Sequence, residues 1–164
     1  MAIKEYTIMF QKEKIGASVK DLVANFDMVC LSFPLQLNLE AKDVVSDDWP
    51  EEDGEDWFEP TVLPLKAYDV DVDIGYSGDN WGSKIQAFLD YLTGHDTDGG
   101  VMMKMYDVHT GIGRRGVRFV SYEPNLSGYD GKLMTFTVRF RVTDPMTKVT
   151  VEYNTGGDVI NLKV

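Results

Sequence analysis

Two stretches of this 164-residue chain alternate apolar and polar side chains so strictly that little but β-strand accommodates them. Between Leu65 and Tyr76, Asp69, Asp71 and Asp73 alternate with Val70, Val72 and Ile74. Between Leu133 and Val142, Met134, Phe136, Val138, Phe140 and Val142 alternate with Thr135, Thr137, Arg139 and Arg141. Successive side chains of a strand point to opposite faces, so a period of two gathers the apolar set on one side and the charged set on the other. Helical geometry would scatter both sets around the axis. One wet face and one dry face is the mark of antiparallel strands, since parallel sheets are covered on both sides.

The rest of the chain supplies further pieces of the same kind. Lys4 to Phe10 has the composition of a short strand, Ser18 is placed to cap a short helix carrying Val19, Leu22, Val23 and Phe26 on one stripe, and Met28 to Phe33 reads as a strand ended by Pro34. The clearest helix is Ser83 to Thr93, with Ile85, Phe88, Leu89 and Leu92 on one side and Gly94 as its stop. Strands are expected over 101–108, 117–122, 132–142, 147–153 and 159–164, with turns at Ser127–Gly131 and Asn154–Asp158. Length and content predict one domain over 1–164, mainly β in an α+β arrangement. It is an antiparallel β-sandwich or rolled barrel with one flanking helix at about 83–93. No internal repeat or low-complexity tract is visible.

Charge is distributed unevenly. The net charge is −11, and residues 41–80 hold thirteen acids against two bases while the remainder is balanced. A protein that binds nucleic acid through counterion release gathers Lys and Arg on one face, which this balance opposes. Within the acidic quarter, Pro50, Gly54, Pro60 and Pro64 interrupt any long regular element, so 43–64 reads as a long acidic loop. Trp49, Trp57 and Phe58 sit in it. A merely solvating loop has no need of them, so the loop is expected to fold back or to dock onto a partner. Cys30, the one cysteine, reads as a small buried hydrophobe. The opening segment carries Lys4 and Glu5 in its apolar stretch and lacks a small-residue cleavage site, so it does not read as a secretion signal and cytosolic synthesis is expected. No run reaches the roughly 18 apolar residues that cross a bilayer.

Several motifs invite chemistry and fail their context. Gly111-Ile-Gly-Arg-Arg-Gly116 matches a dinucleotide fingerprint, but the following Val117 to Tyr122 is β-branched and aromatic where a helix must begin, so a glycine-rich hairpin turn is expected. Asp69, Asp71 and Asp73 resemble the start of a calcium loop, yet Gly75 falls one place late and Asn80 stands where the bidentate Glu belongs. His95 with Asp96 and Asp98 reads as a surface loop, and His109 lies on another segment. With no G-x-S-x-G, no H-E-x-x-H and no convincing partner for Cys30, neither catalytic residues, nor a metal, nor a cofactor is expected.

The arginines are a different matter. Arg114, Arg115, Arg118, Arg139 and Arg141 fall in two consecutive β segments, opposite in sign to residues 41–80. Pairing within the chain is one explanation. The other is head-to-tail contact between copies, with Asp53, Glu55, Asp56 and Trp57 of the acidic loop meeting the arginine patch of the next copy.

The order of elements resembles tail proteins of long-tailed bacteriophages. The residues that carry the likeness are Leu65-Lys-Ala-Tyr-Asp-Val-Asp-Val-Asp-Ile74, the helix Lys84 to Leu92, the strand Val101 to Asp107 and the ending Thr135-Phe-Thr-Val-Arg-Phe-Arg-Val-Thr-Asp-Pro145. Tail-tube proteins and the N-terminal part of distal tail proteins have such a β-sandwich with a flanking helix. The resemblance covers about 65–145. It implies a virion structural protein, assembled in the host cytoplasm, that forms a homo-oligomeric ring, hexameric in the family, and contacts other tail proteins. DNA would pass through as cargo, and no membrane is involved. In that setting Asp69, Asp71 and Asp73 would form an acidic face or lumen lining, since like charge lets DNA pass. Tube, distal ring and tail completion or connector protein all remain open at this point. Two other readings stand beside it: a monomeric carbohydrate- or protein-binding module using Trp49, Trp57 or Trp81, and a hydrolase using His95 or His109.

Overall fold

The computed structural model describes residues 6–32, 39–125 and 133–164. In chain order the described elements are β1 (Ile8–Lys12), β2 (Val19–Asp21), α1 (Leu22–Phe26), β3 (Met28–Cys30), β4 (Ser46–Asp47), β5 (Asp56–Trp57) and β6 (Tyr68–Ser77). There follow α2 (Trp81–Thr93), β7 (Met103–Asp107), β8 (Ile112–Asn125), β9 (Leu133–Val142), β10 (Thr150–Tyr153) and β11 (Val159–Lys163). Seven strands form one antiparallel sheet in the order β2-β1-β7-β8-β9-β6-β3. The class is therefore mainly β with flanking helices, as the alternation predicts. The sheet does not close into a barrel, although Cys30 N on the β3 edge donates to Tyr6 O, just before β1, at 3.0 Å; the end strands β2 and β3 are three residues each, short enough to blunt edge-to-edge pairing.

The two alternating stretches become the long strands β6 and β9, which pair over their full length from Tyr68↔Val142 to Ser77↔Leu133. Their alternating apolar residues enter the main core: Val70, Val72, Ile74 and Tyr76 from β6, and Met134, Phe136, Val138, Phe140 and Val142 from β9. α2 covers this face with Ile85, Phe88, Tyr91 and Leu92, and α1 adds Leu22 and Phe26. Phe88 stands at 6.1 Å from Phe10, 5.0 Å from Phe26 and 6.4 Å from Phe136 between ring centroids, distances at which tilted and edge-on aromatic pairs attract. On the back of the sheet the antiparallel ribbon β10–β11 covers only the β2-β1-β7 side, where Met9, Val149 and Leu162 form a second, smaller core. The second layer of the expected sandwich is thus a ribbon on one half of one face, and the polar back of β6 and β9 is left in solvent.

Local boundaries differ from the sequence reading for identifiable reasons. The first strand runs Ile8–Lys12, since Lys12 is drawn inward: its Nζ donates to the carbonyls of Tyr91 and Gly100 and lies 4.5 Å from the Tyr91 ring centroid. A lysine there satisfies a carbonyl in the last turn of α2 and complements the negative end of the helix dipole; burial pushes its pKa below 10.5. Residues Val19–Asp21 form an edge strand, and the cap of α1 is Asp21, whose carboxylate accepts from the Val23 and Ala24 amides at 2.9 and 3.2 Å. Ser18 plays no such part. Lys4 and Glu5, Phe33 and Pro34, and the turn Ser127–Gly131 with Lys132 lie outside the described residues.

The glycine motif is also relocated. The β7–β8 turn occupies Val108–Gly111, built by the Asp107 carboxylate accepting from the His109 amide at 3.0 Å, with Gly111 N donating to Asp107 O at 2.9 Å. Ile112 onward is already strand, so the expected turn over 111–116 is mostly the start of β8. Its glycines serve packing: a Cβ on Gly113 would stand 2.6 Å from Val149 O, and Gly116 has φ +65° with a Cβ position 2.3 Å from Thr143 Oγ1. Gly116 lies beside the bulge that shifts the β7–β8 register.

Candidate functional site

Two charged regions stand out, and the fold treats them in opposite ways. On the exposed back of the sheet, antiparallel register sets each acid of β6 opposite a polar residue of β9: Asp69↔Arg141, Asp71↔Arg139 and Asp73↔Thr137. Arg139 grips Asp71 with two bonds, Nε to Oδ1 at 2.8 Å and Nη2 to Oδ2 at 3.1 Å, the planar fork geometry that suits a carboxylate. Arg141 Nη1 reaches Asp69 Oδ1 at 3.2 Å, and Thr137 Oγ1 donates to Asp73 Oδ1 at 2.6 Å. The bond from Arg139 holds the Asp71 carboxyl below its ordinary 3.8. These acids form a cross-strand ladder, closed within one chain.

The second region is Leu39–Lys66. It is a self-paired arm rather than an irregular loop. Lys66 N donates to Glu40 O at 2.8 Å and Lys42 N to Pro64 O at 2.9 Å, and Ala41 bridges Leu65. Further out β4 pairs with β5, Phe58 N donates to Val45 O at 3.1 Å, and Glu52 N to Trp49 O at 3.1 Å at the tip. The expectation that this stretch folds back is met, though only upon itself. Asp53, Glu55 and Asp56 are exposed, and so are Trp49, Trp57, Phe58 and Val62, with Trp57 at 50% and Phe58 at 72%. Burying such rings is worth about 1.5–3 kcal/mol each, a gain that the arm's own fold leaves largely untaken.

The remaining arginines disperse. Arg118 is exposed on β8, opposite Arg141. Arg115 lies 3.6 Å from Glu13 and 3.9 Å from Asp144, long pairs of small energetic weight. Arg114 is 6% exposed and lines a cavity of about 340 Å³ at the root of the arm, with Leu39, Ile112, Met146, Lys148 and Val149. Its Nη1 donates to Gly113 O at 2.8 Å, while its Nε is buried with no partner. Nothing in the sequence distinguished Arg114 from its neighbours; its burial follows from the start of β8 lying against 146–150.

The other candidates stay apart. Trp81 packs partly against the main core, unlike Trp49 and Trp57. His95 shares a 2.8 Å hydrogen bond with Thr93 Oγ1, and His109 stacks edge-on with Tyr6 at 4.8 Å. Cys30 is buried, with its thiol pushed up to about 11 by burial. Among the described residues no three His, Cys, Asp or Glu side chains are grouped to hold a metal, and no helix is long and apolar enough to cross a membrane.

No protein-family model matches the chain, and no curated protein matches it. Among solved structures, a chain of the anti-feeding prophage (AFP) baseplate, seen by 6-fold symmetrised cryo-EM, is similar with a TM-score of 0.48 and 10% identity, covering 88% of this chain and 92% of that one. The SPP1 Dit (gp 19.1) protein, from the hub adsorption apparatus of phages that infect Gram-positive bacteria, is similar with a TM-score of 0.48 and 18% identity over 93% of this chain. This chain spans 60% of the Dit chain's length.

Proposed function

We propose that this chain is a non-catalytic structural subunit of the tail of a long-tailed bacteriophage or prophage, folded as one domain, whose copies join head to tail into a ring around the DNA channel. The observation that carries the ring is the arm Leu39–Lys66, which is acidic and aromatic, pairs with itself and covers none of its own core. A heterologous contact of this sort closes into a ring when the rotation between copies permits. Arg139 and Arg141 already hold Asp71 and Asp69, so the arginines we assign to a neighbour are those of β8: Arg114 and Arg118, with Arg115 held only by long pairs to Glu13 and Asp144. The exposed β6–β9 ladder is the face we assign to the lumen. Its acids are offset by two arginines, and a near-neutral wall lets DNA pass without adhesion. Ring size is proposed as six, and other tail proteins as further partners within the virion. Light scattering with negative-stain microscopy tests the reading: closed rings or stacked tubes are expected, and a strict monomer at high concentration overturns it.

Exposed Trp49 and Trp57 favour one second reading, a binding module for glycans or proteins. Quenching of their fluorescence by members of a glycan panel is the outcome that would replace the ring.

A further inference from the structure

The cavity at the root of the arm has the chemistry to hold an anion with apolar flanks. Leu39, Ile112, Met146 and Val149 give it apolar walls, and Arg114 and Lys148 give it positive charge. Among the described residues no ion pair includes Arg114, although its side chain is almost wholly buried. Asp107, from the same hairpin, makes no ion pair with it: one carboxylate oxygen is held by the turn amides of His109 and Thr110, and the other is buried without a hydrogen-bond partner. A buried guanidinium in no ion pair is costly, and a carboxylate arriving with an apolar neighbour would relieve that cost in a water-poor setting. Of the segments that expose that pairing, Asp56-Trp57-Phe58-Glu59 on the arm sets two rings between two carboxylates, all four in solvent and outside their own chain's cavity.

We propose that the Arg114–Lys148 cavity receives the Asp56–Glu59 segment of a second copy, carboxylate to guanidinium and ring to apolar wall. This rests on the ring reading above and makes it specific. Because the donor segment and the cavity lie at opposite ends of the arm, the contact can pass from one copy to the next, as a ring requires, or be returned within a pair of copies.

The test is a Trp57→Cys, Met146→Cys double variant, oxidised and run on a non-reducing gel, with light scattering on the same samples. Both positions are exposed, and buried Cys30 stays out of exchange. The expected result is a ladder of covalently linked chains beyond the dimer. Full assembly without a cross-link overturns the cavity contact and leaves the ring standing. A ladder that stops at two supports arm-in-cavity exchange and overturns the ring. A cross-link closed within single chains, or a monomer with no cross-link, overturns the contact. As an independent arm, Lys148→Glu is expected to weaken self-association at least about tenfold, with Asp56→Lys restoring it in the same chain; loss without restoration overturns the assigned pairing.

Discussion

The β6–β9 ladder and the Leu39–Lys66 arm have similar raw materials and opposite fates. Both are rich in acid, and both place apolar residues next to carboxylates in sequence. In the ladder, register over ten residue pairs sends the alternating apolar side chains from Val70 to Tyr76 and from Met134 to Val142 into the core and sets an arginine or threonine opposite each acid. In the arm, β4 and β5 are two residues each, prolines and a glycine interrupt the rest, and no second layer covers either side. Charge alternation therefore resolves itself only where the strand is long enough to hold a register. Where it is not, acids and rings stay available to something outside the chain.

That contrast can be broken at several points. Phe140→Ala, beneath the ladder and fully buried, is expected to cost about 3–5 kcal/mol in urea unfolding through the cavity it leaves; a loss below about 1 kcal/mol would mean that β9 is not a core strand. Lys12→Met removes the donor to the Tyr91 and Gly100 carbonyls and is expected to cost about 1–3 kcal/mol, read as a lowered urea midpoint with faster amide exchange at the end of α2. The Asp71–Arg139 pair is half-exposed, so a double-mutant cycle with Asp71→Asn and Arg139→Gln should return only about 0.2–1 kcal/mol and shrink in high salt. Its pH dependence has a fixed sign. The bond from Arg139 lowers the folded carboxyl below 3.8, so the contribution is present above 3.8 and is lost as pH falls through the lowered folded value. A cycle energy unchanged between pH 6 and pH 2 would refute the pairing. Smallest of all, Trp57→Ala and Phe58→Ala in the arm should shift the stability of the monomer by no more than about 0.5 kcal/mol. A larger loss in the isolated chain would show that the arm belongs to the core after all.

Much of the fold was legible because it depends on short-range pattern. The period-two runs marked β6 and β9, the stripe of Ile85, Phe88 and Leu92 marked α2, and Gly94 marked its end with φ +79°. Boundaries failed where a distant group intervened. Ser18 looked like a cap, yet Asp21 took the role because Val19–Asp21 pair with Met9–Gln11. The Gly111–Gly116 run looked like a turn, yet Asp107 closes the turn earlier and the glycines accommodate Val149 and Thr143 from across the chain. Of the charged candidates, the sequence showed which residues were acidic or basic but not which would find each other. Arg139 and Arg141 are taken up within the ladder by strand pairing, and Arg114 was indistinguishable from Arg115 until one was seen buried and the other at the surface.

What the sequence alone determined is the class of element: antiparallel strands with one dry face, a covering helix, and an acidic stretch too broken by proline and glycine to build a core. These follow from periodicity and local backbone preference, which act over a few residues. Only the tertiary structure decided the partners. Which carboxylate meets which arginine, why one guanidinium is buried beside an open cavity, and why the arm is left in solvent all depend on register and layer packing between residues tens of positions apart. Contacts of that separation are set by how the whole sheet assembles, and no local signal encodes them.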